Sequence, residues 1–369
     1  MQKKMKWVAA AAAVLAAFWL GGCQMEQSGA PQAYWFSNSY TSFWPDGDSI
    51  CFRADDGLYR WQPGEEQVSC IAGGLFDSAE RVYLAAVDGD YFYTQRLDPY
   101  LHRIDGETGE TTVLAEITDT TGHTAFGYNG EMWAYDGMLY CLASVCGEQS
   151  EEGHVCQMEV QVRDTGGQLV KTYPLPEGDQ VSLVMARGEQ LFLVRWGSAA
   201  EESGQNGLRV LDLPSGEEKP LPGAENCALQ GAVGDRLLVL DTEEDTYWLL
   251  DAEGNRTPLA ASCETVLASD GAVTYGKNSG ALVREADAGV EALATCRGYI
   301  TDCCLIDGVF YLNQGLDLWV REDRLRFADA TGENAEMVEK ANAAGSLQGG
   351  RNLTLAFMPD GTVYLLHRS

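Results

Sequence analysis

The sequence predicts an all-β protein, a β-propeller built from four-stranded antiparallel blades. Three observations support this fold class. Short apolar runs of strand length, such as 82–87, 191–194 and 237–240, follow one another from about residue 40 onward. Two kinds of glycine-containing turn separate these runs in alternation. Because no amphipathic helical pattern occurs before about residue 335, we expect strands rather than helices to form the core.

The first kind of turn is an Asp-Gly pair or its equivalent. Nearly continuous apolar runs lead into or follow these turns, as expected for strands that are covered on both faces. Asp-Gly supplies the positive φ angles that a tight hairpin needs. The turn occurs at Asp46-Gly47, Asp88-Gly89, Asp136-Gly137, Arg187-Gly188, Gly234-Asp235, Asp270-Gly271, Asp307-Gly308 and Asp360-Gly361.

The second kind of turn has the pattern of residues 105–110, Asp-Gly-Glu-Thr-Gly-Glu, and lies between two further strands. Strand, first turn, strand, loop, strand, second turn and strand form a repeating unit that is typical of propeller blades. Related turns begin at Asp164, Asp212, Asp251, Asp287 and Asp329, with a weaker first copy at Gln62. The second turn gives seven blades and the first gives eight, so we predict seven, within a range of six to eight.

The ring must close, because an open ring leaves strand edges unpaired. We expect the C-terminal strands at 353–366 to pair near the N-terminal strands and so to close it. A short helix or loop is expected at 334–350, just before this hairpin. Residues 34–369 are predicted to form a single domain, because no composition shift marks a second one.

A fuller motif surrounds two of the Asp-Gly turns. The segments 44–52 (Trp-Pro-Asp-Gly-Asp-Ser-Ile-Cys-Phe) and 358–365 (Met-Pro-Asp-Gly-Thr-Val-Tyr-Leu) share Pro-Asp-Gly before a strand. This motif resembles the repeat of the WD40-like propellers found in the Tol-Pal periplasmic system. The resemblance implies the fold, and it implies no particular activity, because many functions share one propeller architecture.

The N-terminus has the pattern of an export signal. Three lysines precede 14 uncharged apolar residues, Trp7 to Leu20, which are too few to span a bilayer comfortably. Gly21 and Gly22 then precede Cys23. The segment resembles a bacterial lipoprotein signal, which implies removal of residues 1–22, lipidation of Cys23 and a tether over 23–33. The predicted location is the outward-facing side of the cell membrane, held by lipid. An ordinary secretory signal or an N-terminal anchor, with an incidental cysteine, is the alternative.

The charge of the chain excludes some partners. Asp and Glu number 55 against 25 Lys and Arg, which gives a formal charge of −30. Phosphates would be repelled, so neither nucleic acid nor an anionic membrane surface is expected as the main partner. High acidity also keeps the folded part of a lipid-anchored chain away from anionic headgroups.

Ten cysteines remain after Cys23, and their spacing contains no Cys-x-x-Cys pair, so a zinc ribbon is not supported. Most of them lie in apolar strand runs, where cysteine behaves as a small buried hydrophobe. Mostly free thiols and one or more disulfides both remain open. Cys141, Cys146 and Cys156 are the best candidates for a local bridge, and Cys303 and Cys304 are expected on opposite faces of a strand.

The sequence contains no nucleophile elbow, zinc-binding helix or phosphate-binding glycine loop. Of four histidines, His123 is the best candidate for a ligand-binding role, since it lies in a loop before a blade. Asp46 and Asp48 are candidates for a ligand face. With other aspartates they could also line a calcium site, but none matches the twelve-residue calcium loop, so turn formation is favoured and no metal site is predicted. We expect no cofactor and no catalytic residue.

The predicted function is therefore a binding or scaffolding module. Its partner is expected to be a cell-envelope protein or a saccharide, and polar insertions at 147–154 and 197–207 are candidate recognition loops. Two alternatives stay open. One is a carbohydrate-active hydrolase or lyase that uses carboxylates in the central channel. The other is a ligand-sensing subunit that passes its ligand to another envelope protein.

Overall fold

The chain divides in a computed structural model into two units, Met1–Pro31 and Gln32–Ser369. All described residues belong to the second unit. They are residues 33–35, 43–54, 57–76, 82–95, 98–117, 132–146, 156–175, 180–196, 207–233, 236–259, 261–296, 300–314, 318–320, 322–328 and 353–368. Cys23, His123 and the predicted helix or loop at 334–350 lie outside these ranges. Among the described residues no helix is long and apolar enough to cross a membrane.

The second unit is a seven-bladed β-propeller. A short strand, β1 (Ala33–Trp35), precedes the blades. Blade 1 contains β2 (Phe43–Asp46), β3 (Ser49–Ala54), β4 (Gly57–Trp61) and β5 (Ser69–Ala72). Blade 2 contains β6 (Val82–Val87), β7 (Asp90–Gln95), β8 (Asp98–Ile104) and β9 (Thr111–Glu116). Blade 3 contains β10 (Met132–Tyr135), β11 (Met138–Cys146), β12 (Cys156–Arg163) and β13 (Leu169–Pro174).

The remaining blades follow the same antiparallel order. Blade 4 contains β14 (Gln180–Arg187), β15 (Gln190–Trp196), β16 (Gly207–Asp212) and β17 (Glu218–Pro220). Blade 5 contains β18 (Cys227–Val233), β19 (Arg236–Asp241), β20 (Thr246–Leu250) and β21 (Arg256–Pro258). Blade 6 contains β22 (Thr265–Ser269), β23 (Thr274–Asn278), β24 (Ala281–Ala286) and β25 (Gly289–Cys296). Blade 7 contains β26 (Ile300–Ile306), β27 (Val309–Gln314), β30 (Leu353–Phe357) and β31 (Val363–Arg368).

Blade 7 contains an insertion between its second and third strands. β28 (Leu318–Val320), a 3-10 helix at Glu322–Arg324 and β29 (Leu325–Phe327) belong to it. β28 adds to the outer strand of blade 6 in an antiparallel manner, and β29 adds to the outer strand of blade 7 in parallel. The insertion therefore extends both blades at their outer edges.

The ring closes by side-chain packing between blades 1 and 7. Phe43 and Trp61 of blade 1 pack with Tyr311 of blade 7, with ring centroids 5.4 and 6.4 Å apart. The C-terminal hairpin β30–β31 lies at this junction, near the N-terminal blade as predicted. Its hydrogen-bond partner, however, is β27 of its own blade. Bulky aromatic contacts thus hold blade 1 against blade 7.

In blades 1 to 6 the two kinds of turn lie at one end of the blade, because strand direction alternates within an antiparallel blade. In blade 7 that end carries two turns of the first kind, Asp307-Gly308 and Asp360-Gly361, and the turn predicted at Asp329 falls between β29 and β30, outside the described residues. We call this end the turn face; it carries the connections from first to second strand and from third to fourth. The opposite end, the loop face, carries the connections from second to third strand and from blade to blade. Asp88, Asp136 and Asp307 have positive φ, as do the glycines after them, which is the backbone of a tight hairpin.

Glycines of the second turn join neighbouring blades at the turn face. Gly109 of blade 2 has φ +72°, and a Cβ there would lie 2.2 Å from the Ile71 carbonyl oxygen of blade 1. Gly167 of blade 3 packs in the same way on Leu114 of blade 2. Only glycine fits both the backbone conformation and the close approach. At Gly109 and Gly167 the sequence repeat thus marks points where one blade rests on the preceding one.

Strand β1 links the inner edges of two blades. It pairs antiparallel with β18, the first strand of blade 5, and with β26, the first strand of blade 7. First strands begin at the loop face and end at the turn face, so β1 runs in the opposite direction. Ala33 therefore lies at the turn-face end of β1, and the chain leads from Trp35 toward the start of blade 1 at the loop face. The strand begins at the last residue of the predicted tether.

Candidate functional site

Asp46, a predicted ligand-face residue, is held by other side chains of the protein. It ends β2 at the turn face, and its Oδ2 accepts hydrogen bonds from Arg60 Nε and from the Tyr91 hydroxyl, both at 2.6 Å. Arg60 also donates to the Tyr91 hydroxyl at 2.8 Å. Since Tyr91 belongs to blade 2, this cluster fastens blades 1 and 2 together.

Burial accounts for the electrostatics of this Asp46 cluster. Desolvation raises the pKa of the Tyr91 hydroxyl, which stays protonated and donates to Asp46. Desolvation also raises the pKa of the buried Cys51 thiol well above its usual range, and Asp46 adds to the effect. A neutral, buried thiol is a poor nucleophile. The cluster is therefore built for packing and hydrogen bonding rather than for covalent chemistry.

Asp48 lies two residues further on, in the exposed part of the same hairpin. Within the described part of the chain, no group of three or more His, Cys, Asp or Glu side chains is arranged to hold a metal ion. Asp46 and Asp48 thus share a turn without forming a described ion site. Their role in ligand binding stays a prediction.

His123 lies outside the described residues, but the ends of the strands around it are known. The connection that contains it leaves β9 after Glu116 and enters β10 at Met132, both at the loop face. Asp46 and Asp48 lie at the turn face. The fold therefore assigns the three predicted ligand-face residues to connections on opposite faces, which sequence order alone did not reveal.

The loop face receives the longest connections of the propeller. The connections 117–131, 147–155 and 197–206 start and end at strand termini on this face, as does the insertion of blade 7. Both insertions predicted as recognition loops belong to this set. At the turn face, by contrast, most connections are tight turns of a few residues. Variation in length is thus concentrated on one side of the ring, where binding is expected to occur.

A cluster around His102, which was not among the predicted site residues, lies toward the loop face, between blades 1 and 2. His102 Nε2 is 2.5 Å from Asp98 Oδ2, and its ring stacks on Tyr93 with centroids 4.6 Å apart. Phe76 of blade 1 meets Tyr93 edge to face at 5.4 Å. Burial, with a smaller contribution from Asp98, raises the pKa of Tyr93 to about 12. The sequence signal for this contact is that Asp98, the first residue of β8, lies four residues before His102 in the same strand.

The contacts of this cluster can fix the orientation of the His102 imidazole ring. A carboxylate on one ring nitrogen fixes the ring and favours a proton on that nitrogen. Tyr93 and Phe76 are nearly fully buried, so Tyr93, against which the His102 ring stacks, is itself held in place by packing. Such an arrangement can present one ring nitrogen to a ligand, and no nucleophile among the described residues hydrogen-bonds to it.

The described first strands carry few carboxylates of the kind that a hydrolase or lyase would need in the channel. Among the described first strands of the seven blades, only β2 and β26 carry an acidic residue, Asp46 and Asp302. Asp46 is engaged with Arg60 and Tyr91, as described above. In addition, β1 occupies inner strand edges of blades 5 and 7.

The structure bears on the two possibilities that the sequence leaves open for the cysteines, free thiols and disulfides. Cys51, Cys141, Cys227 and Cys263 are free thiols. Cys146 and Cys156 occupy directly opposite positions in the β11–β12 ladder, next to the connection 147–155. A local bridge between these two stays a prediction, and the backbone register is compatible with it.

No protein-family model matches the chain, and no curated protein matches it in sequence. Solved structures do match. A streptogramin B lyase shares 11% identity over 76% of this chain and 93% of its own, with a TM-score of 0.44. Virginiamycin B lyase from Staphylococcus aureus shares 12% over 79% and 93%, also at 0.44. BamB from Moraxella catarrhalis shares 10% over 76% and 96%, at 0.35.

These similarities assign neither a function nor a site to this chain. The class of the protein, a seven-bladed β-propeller, rests on its own strand order and register. The resemblance of its Pro-Asp-Gly segments to the WD40-like propellers of the Tol-Pal system is not accompanied by a matching family model.

Proposed function

We propose that this protein is a lipid-anchored binding module, held at the outer side of the cell membrane through Cys23, which binds an envelope partner with its loop face. The observation that carries the proposal is the separation of the two faces. Structural turns occupy one face, whereas the long connections start and end at the other.

The direction of β1 supports an orientation for this module. Ala33, the first described residue of the propeller, is at the turn-face end of β1. The ten peptide links from Cys23 to Ala33 span at most about 35 Å when fully extended. A lipid on Cys23 would then keep the turn face toward the membrane, and the loop face would point away from it toward partners.

The charge of the turn face suits a module that stands off the membrane. Asp105, Asp212 and Asp251 recur at its second turns, and hydrogen bonds within each turn lower the pKa of each carboxyl, so all three are ionised near neutral pH. Anionic headgroups repel such a face over about one Debye length. Anchoring therefore depends on the lipid rather than on attraction between the propeller and the headgroups.

The anchoring part of the proposal is tested with Cys23→Ala in the producing bacterium. We expect the unmodified protein to sediment with membranes and to release a diacylglyceryl-modified N-terminal peptide. The Cys23→Ala variant is expected in the soluble extracytoplasmic fraction. Full retention of the variant on membranes, with no lipid on the unmodified protein, would overturn the anchor and leave the propeller itself unaffected.

The binding part is tested by exchanging the connection 147–155 for Asn-Gly. Because Cys146 and Cys156 are opposite each other in the ladder, a two-residue hairpin can join them. We expect this variant to fold and to lose partners that the unmodified protein captures by cross-linking in native membranes. A matched turn-face variant, with Gly-Ser inserted after Ser215, is expected to keep them. Equal capture by both variants would contradict binding through the loop face.

A further inference from the structure

The outer edges of the seven blades differ in how they are protected. β17 and β21 are only three residues long and contain Pro220 and Pro258, which cannot donate to a further strand. β28 covers the last three residues of β25, and β29 covers the first three of β31. At these positions, pairing with a foreign strand is blocked, as expected for edge strands in soluble proteins.

Strand β9 of blade 2 lacks these protections. It has six residues, no proline, and no further strand on its outer side within the described ranges. Val113 in its middle is 60% exposed, the highest value among the large exposed hydrophobic side chains. A bulge at Leu114 and the adjoining turn of blade 3 limit the regular open stretch to Thr111–Val113.

The chain itself shows that three residues suffice for pairing at such an edge. β28 pairs through Leu318–Val320 and β29 through Leu325–Phe327, each with three positions of the outer strand beside it. The open stretch of β9 has the same length. Main-chain hydrogen bonds supply the affinity of such an addition, and exposed side chains supply its specificity.

Charge selects the kind of segment that β9 can accept. Glu110 precedes the strand and Glu116 ends it, both exposed, and the strand carries no basic residue. The corresponding strand of blade 3, β13, contains Lys171 and ends at Pro174. A second copy of this chain, with its formal charge of −30, would be repelled. The complementary occupant is a basic, extended segment with apolar residues at alternate positions.

We propose that the outer edge of blade 2, at Thr111–Val113, is a docking site for a basic extended segment of a partner protein, which adds to β9 as a fifth strand. The proposal rests on the proposed function as a binding module, but it needs neither the lipid anchor nor the loop face. Blade 2 would then resemble blades 6 and 7, with the fifth strand supplied by another protein.

The test uses the full chain with Cys23→Ala and a nine-residue peptide of alternating lysine and valine around a central threonine. We expect saturable binding in fluorescence anisotropy, together with slower amide hydrogen exchange across Thr111–Val113. Val113→Lys should weaken binding about tenfold by repelling the lysines. Val290→Lys is the matched control for overall charge, since Val290 is 49% exposed on β25 of another blade, next to Glu291, which forms an ion pair with Arg324.

Equal weakening by the two lysine variants, or an absence of slower exchange at β9, would overturn the docking site and indicate attraction by overall charge alone. Circular dichroism spectra matching the unmodified protein show that each variant has folded. Because the partner captured through the loop face is measured separately, with the 147–155 exchange, loss of one result does not imply loss of the other.

Discussion

The turn face and the loop face of this propeller are built from the same seven repeats. They differ in how strongly folding restricts the sequence at each face. At the turn face, glycine turns rest on the preceding blade and aspartates hold their own turns, so sequence variation there costs stability. At the loop face, strand ends only need to be joined, and the connections range from short to very long. The difference shows which side of the ring is fixed by folding and which is free to acquire binding.

The largest effect is expected from adding a methyl group where two blades meet. Gly109→Ala should lower the free energy of unfolding by about 3 kcal/mol, because φ is +72° and the new Cβ would meet the Ile71 carbonyl oxygen. Gly216→Ala is the control, with φ +70° and nothing within 4 Å, and should lose about 1 kcal/mol. Urea titration measures both. Equal losses would show that blade contact at this turn is unimportant.

A smaller effect is expected at the Asp46 cluster. Asp46→Ala should lower the free energy of unfolding by about 1–2 kcal/mol, because Arg60 and Tyr91 lose their shared acceptor. Asp48→Ala, in the exposed part of the same hairpin, should change it by no more than about 0.5 kcal/mol. Thermal unfolding compares the two. A larger loss from Asp48 would reassign the structural role within this turn.

At the loop face, removal of a whole connection should matter less than one methyl group at the turn face. Exchanging 147–155 for Asn-Gly should leave the free energy of unfolding within about 1 kcal/mol of the unmodified protein, since loop closure depends weakly on length. Denaturant unfolding and circular dichroism measure it. Loss of folding would mean that this connection belongs to the core and would remove the contrast between the faces.

The smallest effect concerns pH at a second turn. Backbone and side-chain hydrogen bonds from Thr108 lower the pKa of Asp105 in the folded state. Its stabilisation is therefore present above the ordinary carboxyl pKa of about 4 and is lost as the pH falls through the lower folded value. The difference in stability between the unmodified protein and Asp105→Ala should exist at pH 7 and vanish in strong acid. A difference independent of pH would indicate that ionisation of Asp105 is irrelevant.

The fold was predictable because its constraints are local. Asp-Gly pairs require positive φ, and the prediction of hairpins at Asp88, Asp136 and Asp307 is confirmed by their backbone angles. The prediction of seven blades is confirmed by the strand order. An Asp-Gly turn read in sequence gives the end of a blade, but the count of these turns is eight, because blade 7 contains one at Asp307 and another at Asp360.

The candidate site was less predictable because it depends on contacts between blades. Asp46 and His123 look alike as polar loop residues, but strand direction sends their connections to opposite faces. The contact of Asp46 with Tyr91, 45 residues away, has no local signal. The same holds for the stacking of His102 on Tyr93 and for the position of β1 between blades 5 and 7.

The most direct test of a tethered propeller that binds with its loop face is the accessibility of its two faces on native membranes. One epitope replaces 147–155, and a second is inserted after Ser215 at the turn face; Fab binding is measured before and after detergent. We predict that the loop-face epitope binds equally in both conditions and that the turn-face epitope binds several-fold more after detergent. A loop-face epitope that is masked on membranes, with a turn-face epitope that is freely accessible, would contradict the account.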